Sequence, residues 1–249
     1  MEEAAAASAS SLFGEKTGKN GSRKREKCIT HYSSYQRILL VGEGDFSFSA
    51  CLARAFDSAN NMVATSLDDP DRLLKKHWTA RNNLSELKRF GCTLLHGINV
   101  KDMHQDNFLK DKRFDRIIFN FPHAGHDPEL REKDESLILR HRELLCDFFN
   151  SARCLLSENG EIHVNHRDDK PYAQWRIRSL AKKGGLILKE LVEFQKKDYP
   201  GYHNKRGSDI KSNKTFPLGF RSFTFKFSLK SFTKVSADEL SLDFSDLTI

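Results

Sequence analysis

The chain has 249 residues, 38% of them hydrophobic, enough for one sizeable core and suited to a single α/β domain with tails. Lys and Arg outnumber Asp and Glu by 41 to 34, a net charge of +7 that favours polyanionic partners and says nothing about fold. Five cysteines (Cys28, Cys51, Cys92, Cys146, Cys154), odd in number and in no CxxC pair, argue against a disulfide scaffold and a cysteine-rich zinc site, and no apolar run approaches the ~20 residues of a membrane span.

Residues 1–36 are expected to form a disordered leader. Ala and Ser dominate first, then KTGKNGSRKREK at 16–27, with too little apolar surface to offset ordering. No signal peptide is expected, because the first residues lack a basic segment followed by an apolar one. The run Arg23-Lys24-Arg25 reads as a solvated tail, a nuclear address or a loose RNA-contacting arm. ILLVG at 38–42 has the continuous Leu and β-branched character of a strand covered on both faces. A short helix follows over 46–56 and a second strand over 62–67. The spacing of Leu73, Leu74, His77, Trp78, Ala80, Leu84 and Leu87 predicts one long helix over 70–90, stopped at Gly91. Strands are expected at 92–100, 116–121, 161–166 and 186–194, and helices at 132–156 and 171–183. FRSFTFKF at 220–227 alternates from Phe223 onward and reads as a half-exposed strand. Residues 229–249 turn acidic and are set aside as a C-terminal tail.

Strand–helix alternation over 37–228 predicts an α/β, doubly wound, mostly parallel sheet. The last two strands have no helix between them, so the final strand should be antiparallel, as in the class I (Rossmann-like) methyltransferase form of this sheet. Ligands in such sheets sit beyond the carboxyl ends of the strands. That brings together the turn after the first strand, Asp68 after the second and residues 120–125 after the fourth.

The turn reads GEGDFSFS at 42–49. Gly42 and Gly44 supply a GxG, but Ser47 stands where a dinucleotide fingerprint has a third small residue. Glu43 and Asp45 beside a pyrophosphate would raise its cost. The same acids suit a cofactor with an ammonium and a sulfonium, S-adenosylmethionine. Asp68 can accept from both ribose hydroxyls, or, like Asp69 and Asp71, cap the helix near Pro70.

In DRIIFNFPHAG at 115–125, Asn120 closes a buried strand and Phe121, Pro122 and His123 follow. This resembles the Asn/Asp-Pro-Pro-aromatic loop of methyltransferases acting on planar nitrogens, with Phe121 in place of the first proline and His123 in place of the aromatic. An amide can orient a flat nitrogen while an aromatic face holds its plane. The bland reading is an Asn at a strand end followed by a turn. In KKDYPGYHNKR at 196–206, Tyr199 and Tyr202 could stack on bases while Lys205 and Arg206 meet phosphates, or the stretch is a solvated loop. Pro171, Tyr172 and Trp175 either line the same crevice or pack beneath it.

Taken together, GEGDFSFS (42–49), ATSLD (64–68), Leu95-His96-Gly97, FDRIIFNFPHAG (114–125), GEIHV (160–164) and YPGYHNKR (199–206) resemble the eukaryotic 25S rRNA uridine-N3 methyltransferase-like family over residues 37–228. The resemblance implies S-adenosylmethionine-dependent methylation of N3 of a uridine in large-subunit rRNA, with ribosomal RNA or a pre-ribosome as partner and neither metal nor membrane. It implies a cofactor site at Gly42, Glu43, Gly44, Asp45 and Asp68, with Asn99 at the adenine where the family tends to carry Asp. On that reading Asn120, Pro122 and His123 are expected at the chemistry, with His123 or Asp45 as base, His126 as a weaker candidate, and Phe121, Tyr199, Tyr202, Lys205 and Arg206 on the substrate. Nucleus and nucleolus are the expected compartment, with cytoplasm as the alternative. The competing readings are a methyltransferase for another nitrogen substrate, an NAD-dependent oxidoreductase, and a non-catalytic RNA-binding scaffold on the same fold.

Overall fold

The structure, a computed structural model, describes residues 25–206, 212–219 and 221–230. Arg23, Lys24, Phe220 and the acidic tail from residue 231 onward lie outside the described residues.

Seven strands form the main sheet: β1 (Ile38–Val41), β2 (Met62–Thr65), β3 (Thr93–Leu95), β4 (Phe114–Asn120), β5 (Leu156–Arg167), β6 (Leu186–Glu193) and β7 (Ser222–Leu229). Their spatial order is β3-β2-β1-β4-β5-β7-β6. The first five run parallel, and β7 lies antiparallel between β5 and β6. This is the doubly wound methyltransferase-type sheet expected from the sequence, with its reversed last strand. Side chains of β1 alternate between two cores because successive strand residues point to opposite faces. Leu39 and Val41 join Ile117, Phe119 and the apolar stripe of α4 (Glu135–Leu155), beside α5 (Ile177–Lys183). Ile38 and Leu40 join Phe46, Phe48 and Leu52 around α1 (Ser47–Phe56). The two phenylalanines of the glycine turn are therefore core residues.

Gly42 links β1 to that turn with φ 64°, and a Cβ there would lie 2.6 Å from the Phe119 ring. Both the backbone conformation and the close approach call for glycine. Phe46, also at positive φ (59°), starts α1.

The long helix expected over 70–90 is two helices, α2 (Pro70–Lys76) and α3 (Ala80–Arg89). His77 is extended (φ −132°, ψ 90°) and buried at the break. The break lets Thr79 Oγ1 donate to Asp45 Oδ2 at 2.8 Å and Asn83 Nδ2 donate to the Asp45 carbonyl at 2.7 Å. Tertiary bonds to the glycine turn thus override the helical periodicity, and Trp78 is left 72% exposed. The third strand is three residues long instead of nine, and the fifth extends back to Leu156 with a register shift opposite Phe114 and Arg116. The helix expected from 171 begins as a 3-10 turn, Tyr172–Trp175, and is interrupted by Arg176 at φ 56°.

The leader gives way to structure before residue 36. Cys28–Ile29 and Tyr32–Ser33 pair as a short antiparallel hairpin. Tyr32 is 1% exposed, packs edge-on against Phe48, and its hydroxyl lies 3.1 Å from His163 Nδ1 on β5. One aromatic anchor in a polar stretch leaves almost no trace in composition, which is why the boundary moved. Tyr32→Ala should cost about 3–5 kcal/mol of unfolding free energy in urea denaturation. Tyr32→Phe, which removes only the hydroxyl, should cost about 1 kcal/mol.

Candidate active site

A cavity of about 570 Å³ opens at the carboxyl ends of β1, β2 and β4. That lies within the roughly 300–1,000 Å³ of small-molecule sites. Gly42, Gly44, Asp68, Asn99, Asn120 and His123 are among its lining residues, so the three loops expected to meet do so.

The two acids of the turn border this cavity, but their carboxylates work inside the fold. Glu43 is buried and accepts from Ser49 Oγ at 2.7 Å and Ser49 N at 3.1 Å. Burial pushes its pKa up to about 7, against the lowering effect of the Ser49 bonds and with a further rise from the nearby Asp45 charge. Asp45, also buried, accepts from Ser47 N at 3.1 Å besides Thr79, and Lys205 Nζ sits 4.0 Å away. These acids tie α1 and α3 to the turn, which differs from the expected role of facing a cationic ligand directly. Asp68 reaches the cavity at the end of β2, where its oxygens meet Lys76 Nζ (2.8 Å) and Arg72 Nε (3.2 Å). The helix cap is Asp69, whose side chain accepts from Asp71 N and Arg72 N, so Asp68 is released from that duty. Asn99 is exposed at the cavity edge, with Oδ1 accepting from Lys101 N at 3.1 Å.

Asn120 pairs in register with Asn165 of β5. Asn165 Nδ2 donates to Asn120 Oδ1 at 2.6 Å, and Thr224 Oγ1 of β7 donates to Asn165 Oδ1 at 2.6 Å. Asn120 also hydrogen-bonds the Glu43 carboxylate. Its amide is therefore engaged at both ends, so it holds the strand end and the turn together. Phe121 follows at φ 46°, its ring edge-on to Phe194 and Phe216.

Residues 121–123 also wall a second, smaller cavity of about 170 Å³, together with His166, Arg167, Tyr172, Trp175, Lys205 and Arg206. His123 was expected here as a base, but both of its nitrogens are occupied. Nδ1 accepts from Gly125 N at 3.2 Å and Nε2 lies 3.0 Å from Glu132 Oε1. His141 of α4 is arranged alike: Nδ1 accepts from Ala124 N at 3.1 Å and Nε2 lies 3.6 Å from Glu132 Oε2. Burial alone would raise the Glu132 pKa, but the hydrogen bonds from His123 and His141 outweigh it and hold the carboxyl below its ordinary range.

His123, Glu132 and His141 are close enough to hold a metal ion. Their tautomers argue against it. Metal-binding histidines donate from the second ring nitrogen. Here each Nδ1 accepts a backbone N–H, which puts the proton on Nε2, the atom a metal would need. The trio is a clamp that fixes the loop onto α4.

Two substrate expectations need correction. Tyr199 and Tyr202 are 3% and 7% exposed, packed with Phe48 and Phe194 in the core, so they cannot stack on bases. Their spacing in a loop hides the fact that the loop folds down onto α1. Lys205 Nζ donates to the Asn213 carbonyl at 2.7 Å and is turned inward, whereas Arg206 is exposed at the smaller cavity. Residues that sequence reasoning passed over are Thr79, Glu132, His141, Asn165 and His166. For the last two a signal existed: HVNH at 163–166 puts polar residues in the middle of a central strand, and such local conflicts mark functional or strained sites.

The family model described as rRNA (uridine-N3-)-methyltransferase BTM5-like matches residues 39–206. Heavy metal-associated isoprenylated plant protein 41 of Arabidopsis thaliana is 50% identical over 202 residues, 81% of this chain and 39% of that protein. An uncharacterized Arabidopsis thaliana protein is 48% identical over 195 residues, 78% of this chain and 93% of its own length. The 25S rRNA (uridine(2634)-N(3))-methyltransferase of Saccharomyces cerevisiae is 27% identical over 231 residues, covering 72% of this chain and 68% of the yeast protein. The chain thus spans well under half of the first of these relatives and nearly all of the second.

Buried histidines give the protein a sign in pH. Burial holds His163 and His166 down at about 4, and burial with the neighbouring His163 charge holds His31 at about 3. Folded values below the unfolded 6.5 mean that the unfolded chain binds more protons between those limits. Their stability is full above pH 6.5 and is lost as pH falls toward 4, at about 3 kcal/mol each for His163 and His166. Glu43 acts in the opposite sense, its contribution fading as pH rises from 4.5 through 7. Three groups outweigh one, so the urea midpoint should fall steadily between pH 6.5 and pH 4.

Proposed function

The chain belongs to the BMT5-like family of rRNA (uridine-N3-)-methyltransferases, and from that membership we propose that it methylates N3 of a uridine in large-subunit rRNA. The observation that carries the reading is the pair of adjoining cavities. One is cofactor-sized and the other is sized for a single ring, with residues 121–123 forming the wall they share.

S-adenosylmethionine, when bound, supplies an electrophilic methyl group on a sulfonium. The residues present fit it. Gly42 and Gly44 leave the turn without side chains over the cavity, and Asp68 stands at the end of β2 where a ribose would lie. An ionised carboxylate has about four acceptor sites, so Asp68 can take ribose hydroxyls while keeping Lys76 and Arg72. Asn99 would meet the adenine, its amide able to accept from an exocyclic amine. Glu43, Asp45 and Asn120 keep the turn and the strand end in register beneath the cofactor. Pro122 and the His123–Glu132–His141 clamp stiffen the wall against which a base would be held.

A ribosomal RNA or pre-ribosome is the proposed partner. Arg206, exposed at the smaller cavity, supplies a cation for its phosphates, and such binding weakens steeply with salt. The nucleus and nucleolus are the proposed compartment, with cytoplasm as the alternative. Among the described residues no helix is long and apolar enough to cross a membrane.

Calorimetry with S-adenosylhomocysteine should show binding, with none for NAD as control. Asp68→Ala should weaken it by about 10–100-fold, the loss of a charged hydrogen-bond acceptor. Labelled methyl groups should then enter large-subunit rRNA and be recovered as 3-methyluridine by mass spectrometry. Absence of S-adenosylhomocysteine binding would overturn the reading.

A further inference from the structure

The smaller cavity carries two buried ring nitrogens with no hydrogen-bond partner, beside Glu132 Oε2, which also has none. His166 is 3% exposed and Trp175 1%. Their Nε2 and Nε1 atoms are buried without a hydrogen bond, and both side chains line this cavity. The His166 tautomer is fixed. Its Nδ1 lies 2.5 Å from the Arg167 carbonyl, which can only accept, so Nδ1 carries the proton and Nε2 keeps its lone pair. Burial keeps the ring neutral, with a pKa of about 4. Trp175 can only donate. The two rings stand 4.6 Å apart at 60°, so the acceptor and the donor belong to neighbouring rings in the cavity wall. Each left unmet costs about 1–3 kcal/mol, so the pair calls for a complementary occupant.

We propose that His166 and Trp175 read the target base, His166 Nε2 accepting an imide N–H and Trp175 Nε1–H donating to the carbonyl oxygen beside it. This rests on the methyl-transfer reading for the identity of the base. A lactam edge, N–H next to C=O, is the matching chemistry. Uracil presents it at N3 and an adjacent oxygen. Cytosine presents the reverse there, an accepting nitrogen beside a donating amine, and the locked tautomer of His166 cannot switch to meet it. Volume selects further. A cavity of about 150 Å³ holds benzene. The 170 Å³ here suits one six-membered ring in preference to a purine. Phe121, Pro122 and Tyr172 supply apolar walls, Arg206 is the exposed cation at the rim, Arg167 is paired with Asp169, and Glu132 brings a carboxylate.

His166 acts by orientation: Nε2 on the N3 edge and Trp175 N–H on the adjacent oxygen fix the ring against the shared wall. Before transfer the N3–H bond breaks, its electron pair stays on N3 and the proton leaves to water, and Trp175 N–H stabilises the charge on the oxygen.

The first test does not need turnover. The chain has two tryptophans, so Trp78→Phe identifies the Trp175 indole N–H in a ¹H–¹⁵N spectrum. Millimolar uridine should move that resonance, and cytidine and 3-methyluridine should leave it nearly still. His166→Phe should abolish the response with S-adenosylhomocysteine affinity unchanged, and His166→Gln, which keeps an acceptor, should restore it. Methyl transfer by His166→Phe should fall about 100-fold, because the base is no longer held in one orientation. An equal response to all three nucleosides, no response to any, or His166→Phe transferring methyl at the wild-type rate would overturn the proposal. A uridine-specific response in a protein that methylates no rRNA would instead overturn the methyl-transfer reading and leave the base pocket standing.

Discussion

A hydrogen-bonded chain of buried side chains crosses the middle of the sheet, and the site is built on it. Thr224 donates to Asn165, Asn165 to Asn120, Asn120 meets Glu43, and Glu43 holds the first turn of α1 through Ser49. Four strands and a helix are thereby tied at one level, the level at which the parallel strands end. A buried carboxylate is costly unless every lone pair has a partner. Here the partners come from both the turn and the strand end, so their relative positions are set together. Such networks act as a unit, and loss of one member strands the next.

Beyond that floor, the wall between the two cavities is held by a second device. His123 donates a ring N–H to Glu132, the His141 Nε2 atom stands 3.6 Å from the other oxygen, and both rings take a backbone N–H of the same loop on the remaining nitrogen. The loop conformation thus dictates the histidine tautomers, and the tautomers dictate where the carboxylate must sit. Trp175 stacks on His141 at 3.8 Å, which carries the rigidity to the far side of the smaller cavity. Both cavities inherit their shapes from this clamp.

The sheet was legible because periodicity and covered strands are averages over many residues. ILLVG and the apolar stripe over 132–156 each survive an error at one position, while FRSFTFKF gave a strand but not its burial: β7 lies between β5 and β6, with Ser222, Thr224 and Lys226 buried as well as Phe225 and Phe227. Local departures did not show, because single tertiary bonds caused them. Asp45 drawing in Thr79 and Asn83 breaks a helix that seven residues at near-helical spacing support. Tyr32 alone turns part of a polar leader into a hairpin. At the site, residue types were readable and directions were not. Glu43, Asp45 and Asn120 do stand at the crevice, but the burial that turns their polar atoms inward belongs to the folded surroundings. Tyr199 and Tyr202 have the composition of an RNA-stacking loop and the packing of a core.

The position of β7 also sets an order of assembly. It follows β6 in the chain yet lies between β5 and β6, pairing with both. During synthesis β6 therefore emerges with no neighbour to pair with, and waits until residues 222–229 arrive to bridge it to the sheet. Domains emerge from the ribosome at about 5–20 residues per second, and distant pairings form late. Because Thr224 ends the hydrogen-bonded chain beneath the larger cavity, the parallel half of the sheet can pair before that chain is complete. The floor of the cavity is closed only by the last strand to leave the ribosome among the described residues.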